Sequence, residues 1–181
     1  MSDRGAGGDD HVAGGDDHVA GVTNVVLAGL GGQGVIKASD ILADAALRAG
    51  FDVKKAEVHG MSQRGGSVTS DVRFGARVLS PMVPRGEADF LVVLAASEVE
   101  VARPLLRPGG VLLPPDLVPE SALPNKRSLN VALLGALSEY LDIPAETLLA
   151  AVRAALPERL HAVNERAFEL GRSLAADHDV A

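Results

Sequence analysis

Apolar and polar positions along the chain follow two periods, and the switches between them mark out strands and helices. Val22 to Ala28 is a short β-branched and apolar run that predicts a buried strand. Gly29-Leu30-Gly31-Gly32-Gln33-Gly34 interrupts it, and a helix follows to about Ala49. On that helix Lys37, Asp40, Asp44 and Arg48 share one stripe at spacings of three and four, with Ile36, Ile41, Leu42, Ala45 and Ala46 on the other faces. This stripe predicts a surface pair between Lys37 and Asp40. Gly50 is a natural helix stop, and Phe51 to Val58 reads as a second strand.

Beyond the polar segment His59 to Ser67, Val68, Val72 and Phe74 alternate with Thr69, Asp71 and Arg73, which predicts a strand with one face toward water. Gly75-Ala76-Arg77 predicts a turn into a short return strand, Val78 to Met82, and a hairpin there makes the sheet mixed. Ala88 to Ala95 reads as the strongest strand in the chain and suits the sheet centre. Ser97 is placed to cap the following helix, which should reach about Leu106 and stop at Pro108-Gly109-Gly110. Val111 to Leu113 reads as another strand, and Pro114 to Arg127 as an extended connection. Three helices close the chain. Ser128 to Leu141 is apolar on most faces, Pro144 opens the second, and Leu160, Val163, Ala167, Leu170 and Leu174 form the seam of the third.

These elements predict an α/β fold: a three-layer, Rossmann-like mixed sheet, mostly parallel with an antiparallel hairpin, flanked by helices. A single domain over residues 23–175 accommodates all of them. Apolar residues make up 47% of the 181 and aromatics only 3%, so the core must be aliphatic. Residues 1–22 differ in kind. Asp9-Asp10-His11-Val12-Ala13-Gly14-Gly15 is nearly repeated as Asp16-Asp17-His18-Val19-Ala20-Gly21, a composition too polar to offset ordering entropy. It reads as a disordered, solvated tail, with weak metal binding by its histidines and aspartates as the other reading. The C-terminus, 176–181, should fray.

The formal charge is −7, and no basic block or stripe gives the footprint of a nucleic-acid binder. There is no cysteine, which removes disulfides, thiol nucleophiles and cysteine-ligated iron–sulfur clusters. No apolar run approaches the roughly 20 residues that cross a bilayer, and no secretory signal pattern opens the chain. The expectation is a cytoplasmic protein that binds neither nucleic acid nor membrane.

Two segments carry candidate chemistry. The order strand, Gly29-x-Gly31-x-x-Gly34, helix is that of a dinucleotide-binding turn, where glycines admit a diphosphate and a helix N-terminus offers free N–H groups. Glu57 falls about where a ribose-binding carboxylate would sit. A free-standing NAD(P)- or flavin-dependent oxidoreductase and a purely structural turn both fit. The second segment is His59-Gly60-Met61-Ser62-Gln63-Arg64-Gly65-Gly66-Ser67, dense in hydrogen-bonding groups. Arg64 could hold a carboxylate or phosphate through paired hydrogen bonds, or pair with a carboxylate of another subunit. His59 is the one candidate acid–base, and Met61 reads as a packing residue.

Taken together, Gly29 to Val35 and Glu57 to Ser67 resemble the gamma domain of pyruvate/2-oxoacid:ferredoxin oxidoreductases, most of all the beta subunit of the indolepyruvate-type enzymes. Ser80-Pro81, Gly86-Glu87-Ala88-Asp89, Leu106 to Gly110, Asn130 to Leu137 and Asn164 to Gly171 extend the likeness over roughly residues 22–173. The resemblance implies a small subunit, inactive alone, that binds no cofactor by itself. Thiamine diphosphate, Mg and 4Fe–4S clusters are then expected in a large partner subunit, with coenzyme A as co-substrate and ferredoxin as acceptor. It further implies that Gly31, Gly32, Gln33, Gly34 and His59 to Ser67 contact substrate, coenzyme A or the partner subunit. Indolepyruvate-type subunits carry an additional helix and strand where this chain has only Pro114 to Arg127. A non-catalytic interaction module with this fold is the remaining alternative.

Overall fold

The computed structural model describes residues 21–59 and 65–176, with His59 described by its backbone alone. The expected acidic tail (apart from its last two residues), Gly60 to Arg64, and the C-terminal fray past Ala176 lie outside the described residues.

Five strands form one sheet: β1 Val22–Leu30, β2 Asp52–His59, β3 Ser67–Gly75, β4 Ala88–Val93 and β5 Leu106–Leu113. Their order is β2-β3-β1-β4-β5. β1 pairs antiparallel with β3 and parallel with β4, β3 pairs antiparallel with β2, and β4 pairs parallel with β5. The mixed sheet matches the sequence expectation, but the central strand is β1 and not the Ala88 run. Val25, Val26, Leu27 and Ala28 are all at most 1% exposed, since a middle strand is covered on both faces.

The antiparallel hairpin is likewise displaced. It joins β2 to β3 across the His59–Ser67 segment, with Val58 opposite Thr69 and Asp52 opposite Gly75. Val78 to Met82 forms no strand; residues 76–87 instead cross the sheet as an irregular strap. Arg73 and Asp71, expected to face water, are only 8% exposed because the strap lies over them. Arg73 Nε donates to Asn24 Oδ1 at 2.8 Å, and its Nη1 donates to the carbonyls of Ser80 and Met82 at 3.1 Å each. Asp71 Oδ2 accepts from Val83 N at 2.9 Å. Burial pushes the Asp71 carboxyl up, opposed by the Val83 N–H and the Arg73 guanidinium.

Helices cover the two faces unequally. α1 Val35–Arg48, α3 Leu129–Ser138, α4 Ala145–Ala155 and α5 His161–Ala176 build the thick layer with Val25, Leu27 and Val92. A thinner layer of Val26, Ala28, Leu91 and Val93 packs against Val83, Val99 and Ala102, where α2 is Ala96–Ala102. Ser97 lies inside α2, and the cap position Ala95 makes no side-chain bond. The chain also turns into β5 earlier than expected, at Leu106.

The seam of α5 is rotated from the apolar stripe. Its buried residues are Asn164, Ala167, Phe168, Gly171 and Ala175, whereas Leu160, Val163, Leu170 and Leu174 are half-buried. Close backbone approach explains the rotation. A Cβ on Gly171 would fall 1.8 Å from the Ala132 carbonyl oxygen, and one on Gly135 2.0 Å from that of Phe168. The two glycines let α3 and α5 touch backbone to backbone. On α1, Asp40 pairs with Lys55 of β2 at 2.5 Å, and not with Lys37.

Candidate functional site

The site is assembled at the edge of the sheet where β1 and β4 end. β1 leads into α1 on the thick face and β4 into α2 on the thin face, so the chain departs in opposite directions from neighbouring parallel strands. Such a switch point opens a crevice at the strand ends. Two connections fill its rim.

In the first, Gly32 (φ 92°) and Gly34 (φ 86°) adopt left-handed backbone that other residues enter only under strain. Gln33 folds back: its Oε1 accepts from Leu30 N at 2.8 Å, while its own N donates to Leu30 O at 3.2 Å. Its side chain therefore closes the end of β1. Gly34 ends the turn, and α1 starts with no side-chain cap and no acidic residue in its first turn. Free N–H groups at a helix start favour anions.

The second connection returns at Gly65 (φ 66°), Gly66 and Ser67. Gly31 N donates to Gly66 O at 3.0 Å, and Leu30 stands opposite Ser67 in register. The two glycine connections thus meet at one rim. Ser67 Oγ donates to Glu98 Oε2, joining the start of β3 to α2. Glu98 is 8% exposed. His59 pairs with Val68 through its backbone at the same rim. Gly60, Met61, Ser62, Gln63 and Arg64 lie outside the described residues.

Clefts flank the glycine turn. One, of about 350 Å³, is lined by Leu30, Gly31, Gly32, Val35, Ile36 and Val68. The other, of about 530 Å³, is lined by the turn together with Lys37, Leu94, Lys126, Arg127 and Asn130. Lys126 pairs with Glu120 at 2.5 Å, while Lys37 and Arg127 have no ion-pair partner among the described residues. Asn130 Nδ2 donates to Gly34 O at 3.3 Å, tying α3 to the turn.

Sequence reasoning did not single out Glu98, Asn130, Lys126 or Arg127 as site residues. Asn130 and Glu98 are polar residues on faces that their helices bury, which is a readable signal. The cations come from a proline-rich connection whose path no periodicity shows.

The strand order weakens the dinucleotide reading. In that arrangement the strand carrying the ribose carboxylate lies beside β1. Here β3 intervenes, placing β2 two strand spacings, roughly 9–10 Å, from β1. Glu57 accepts from Lys55 at 2.6 Å on the α1 side of the sheet. Among the described residues no group of three or more His, Asp or Glu side chains is placed to hold a metal ion. No helix among them is long and apolar enough to cross a membrane.

Comparisons with known proteins agree with this architecture. The family model described as pyruvate ferredoxin/flavodoxin oxidoreductase matches residues 24–124. Indolepyruvate oxidoreductase subunit IorB of Thermococcus kodakarensis is 36% identical over 196 residues, covering 85% of this chain and 96% of the relative. The subunit of the same name from Pyrococcus horikoshii is 34% identical with the same coverage. These alignments are longer than the share of this chain they use, so the relatives carry residues with no counterpart here. Among solved structures, the gamma subunit of a keto/oxoacid ferredoxin oxidoreductase from Geobacter sulfurreducens superposes with a TM-score of 0.72 at 24% identity, over 87% of this chain and 98% of that one. A 2-oxoglutarate:ferredoxin oxidoreductase from Magnetococcus marinus superposes with a TM-score of 0.75 at 24% identity, over 89% of this chain and 32% of that longer one. By the match of more than half its length and by these relatives, the chain belongs to the pyruvate ferredoxin/flavodoxin oxidoreductase family.

Proposed function

We propose that this chain is the small subunit of a 2-oxoacid:ferredoxin oxidoreductase and that its glycine rim completes the reaction centre of a larger polypeptide. The observation that carries the reading is the Gly31–Gly66 contact, which brings the two motif-bearing connections into one surface at the switch point. The names of the relatives, each a subunit of an oxidoreductase acting on indolepyruvate, support an aryl-pyruvate-like substrate.

The residues present fit a division of labour. With no cysteine, the chain has no thiolates for an iron–sulfur cluster, so 4Fe–4S centres and electron transfer to ferredoxin belong to the partner. Magnesium and thiamine diphosphate are assigned to the partner on the same division of labour. That cofactor supplies the electron sink for decarboxylation. This chain's part is to position and to exclude water. The turn N–H groups, Lys37 and Arg127 offer positive charge to a phosphate of coenzyme A at the rim. Glu98 fixes the return of the second connection through Ser67.

Co-expression with the large thiamine- and cluster-binding chain should yield a complex that reduces viologen in the presence of a 2-oxoacid and coenzyme A. Arg64→Ala should lower its turnover by about tenfold or more, the worth of one charged hydrogen bond, while leaving this subunit folded. Turnover unchanged across substrate and coenzyme A concentrations removes Arg64 from the site. Saturable NADH, NADPH or flavin binding by the isolated chain would favour the free-standing oxidoreductase instead.

A further inference from the structure

The thin face of the sheet carries a second surface, centred on the strap and not on the glycine rim. Of the five large hydrophobic side chains left exposed among the described residues, Leu79 (73%), Met82 (55%), Val101 (66%) and Val58 (48%) belong to this layer and Leu47 to the other. Leu79 and Met82 project from the strap. Val101 projects from α2, and the register Val58–Thr69–Ala28 places Val58 on the same side of the sheet.

The strap has no regular secondary structure, yet four side chains of the sheet fix its backbone. Asp52 Oδ2 accepts from Val78 N at 2.8 Å, Arg73 donates to the Ser80 and Met82 carbonyls, Asp71 accepts from Val83 N, and Asn24 Nδ2 donates to Glu87 O at 3.1 Å. Val78 and Val83 are buried beneath it. Burying a guanidinium and a carboxylate to hold a surface loop is costly unless each is well paired. What the arrangement achieves is a rigid display of Leu79 and Met82, and a preorganised surface loses little entropy on binding. Arg77 and Arg85, exposed at either end of the apolar pair, have no ion-pair partner among the described residues. The carboxylate of the strap, Glu87, stands where it rejoins β4.

We propose that the strap is a preformed docking surface for the larger polypeptide, which meets it with an apolar patch rimmed by carboxylates. The proposal rests on the small-subunit reading above and adds a contact that the glycine rim does not provide. A second copy of this chain fits less well. A two-fold contact would set the patch against itself and oppose Arg77 and Arg85 to their own copies.

The test uses the full chain and its co-expressed large subunit, with affinity measured by biolayer interferometry and fold checked by thermal melting. The double variant Leu79→Asp/Met82→Asp should weaken the complex by about a hundredfold, the scale of a lost hot spot. Arg77→Glu/Arg85→Glu should weaken it by about tenfold, more at low salt than at high. Leu47→Asp, at a site also well exposed but on the opposite layer, should leave affinity unchanged. Affinities within about twofold of wild type for both strap variants would overturn the proposal while leaving the small-subunit reading intact. So would equal weakening by Leu47→Asp, or strap variants that alter only self-association. Failure of the wild-type chain to bind the large subunit at all would overturn both.

Discussion

Two glycines of the first connection share a backbone conformation but not a neighbourhood, which allows the geometry of the turn to be tested by difference. Gly32 (φ 92°) has nothing within 4 Å of the place a Cβ would occupy. At Gly34 (φ 86°) that place lies 2.5 Å from Asn130 Nδ2 and 3.3 Å from its Cγ. Gly32→Ala should therefore cost only left-handed strain, about 1–2 kcal/mol. Gly34→Ala incurs the same strain and also displaces an amide that is 8% exposed and donates to the Gly34 carbonyl. Losing that bond adds about 1 kcal/mol, giving about 2–3 kcal/mol in all. Stiffening of the unfolded chain by alanine is common to both sites and cancels in the comparison. For a domain of this size the Gly34 variant should melt about 4–12 °C lower, and urea unfolding should show the gap between the two variants. Removing the obstacle with Asn130→Ala in the Gly34→Ala background should recover about 1 kcal/mol in a double-mutant cycle. Equal costs at the two positions, with no coupling to Asn130, would show that α3 does not hold the turn.

Gly135→Ala and Gly171→Ala place a methyl about 2 Å from a facing carbonyl oxygen. Each should destabilise by about 1–3 kcal/mol despite the better helix propensity of alanine, and a variant as stable as wild type by calorimetry would mean that α3 and α5 are not in backbone contact. Asp52 is held below its usual value of 3.8, first by the Val78 N–H and then by Lys54. A carboxyl with a depressed folded pKa stabilises above its unfolded value and loses that contribution as pH falls through the folded one. Asp52→Asn should therefore be destabilising at neutral pH, with the gap in urea midpoint closing below 3.8; a gap that stays constant into acid would refute the strap anchor.

The regular elements were legible because burial leaves a mark on residue type. Val25 to Ala28 carries four apolar residues without alternation, and only a strand covered on both faces tolerates that. The strap was not legible, because Val78 and Val83 resemble strand residues while the groups that hold the segment sit elsewhere in the chain. Asp71 and Arg73 alternate with apolar neighbours as water-facing residues do, and nothing local tells a solvated polar face from one satisfied by a covering loop. The α5 seam failed for a related reason. Counting apolar side chains passes over glycine, whose contribution at positions 135 and 171 is to have no side chain.

The glycine fingerprint shows where local pattern ends and topology decides. Gly29-x-Gly31-x-x-Gly34 between a strand and a helix specifies a tight turn and an uncapped helix start, and those properties serve a diphosphate, another protein or nothing at all. What selects among them is the strand inserted beside β1. A parallel neighbour there would bring a carboxylate toward the turn. The antiparallel β3 instead begins at the rim, so it delivers Gly65, Gly66 and Ser67 against Gly31. Register makes this unavoidable: with Leu30 opposite Ser67, the residues just before Ser67 must cross the end of β1. Gly31 and Gly66 are 35 residues apart in sequence (66 − 31) only because a helix and a hairpin strand are needed to return the chain to the same edge.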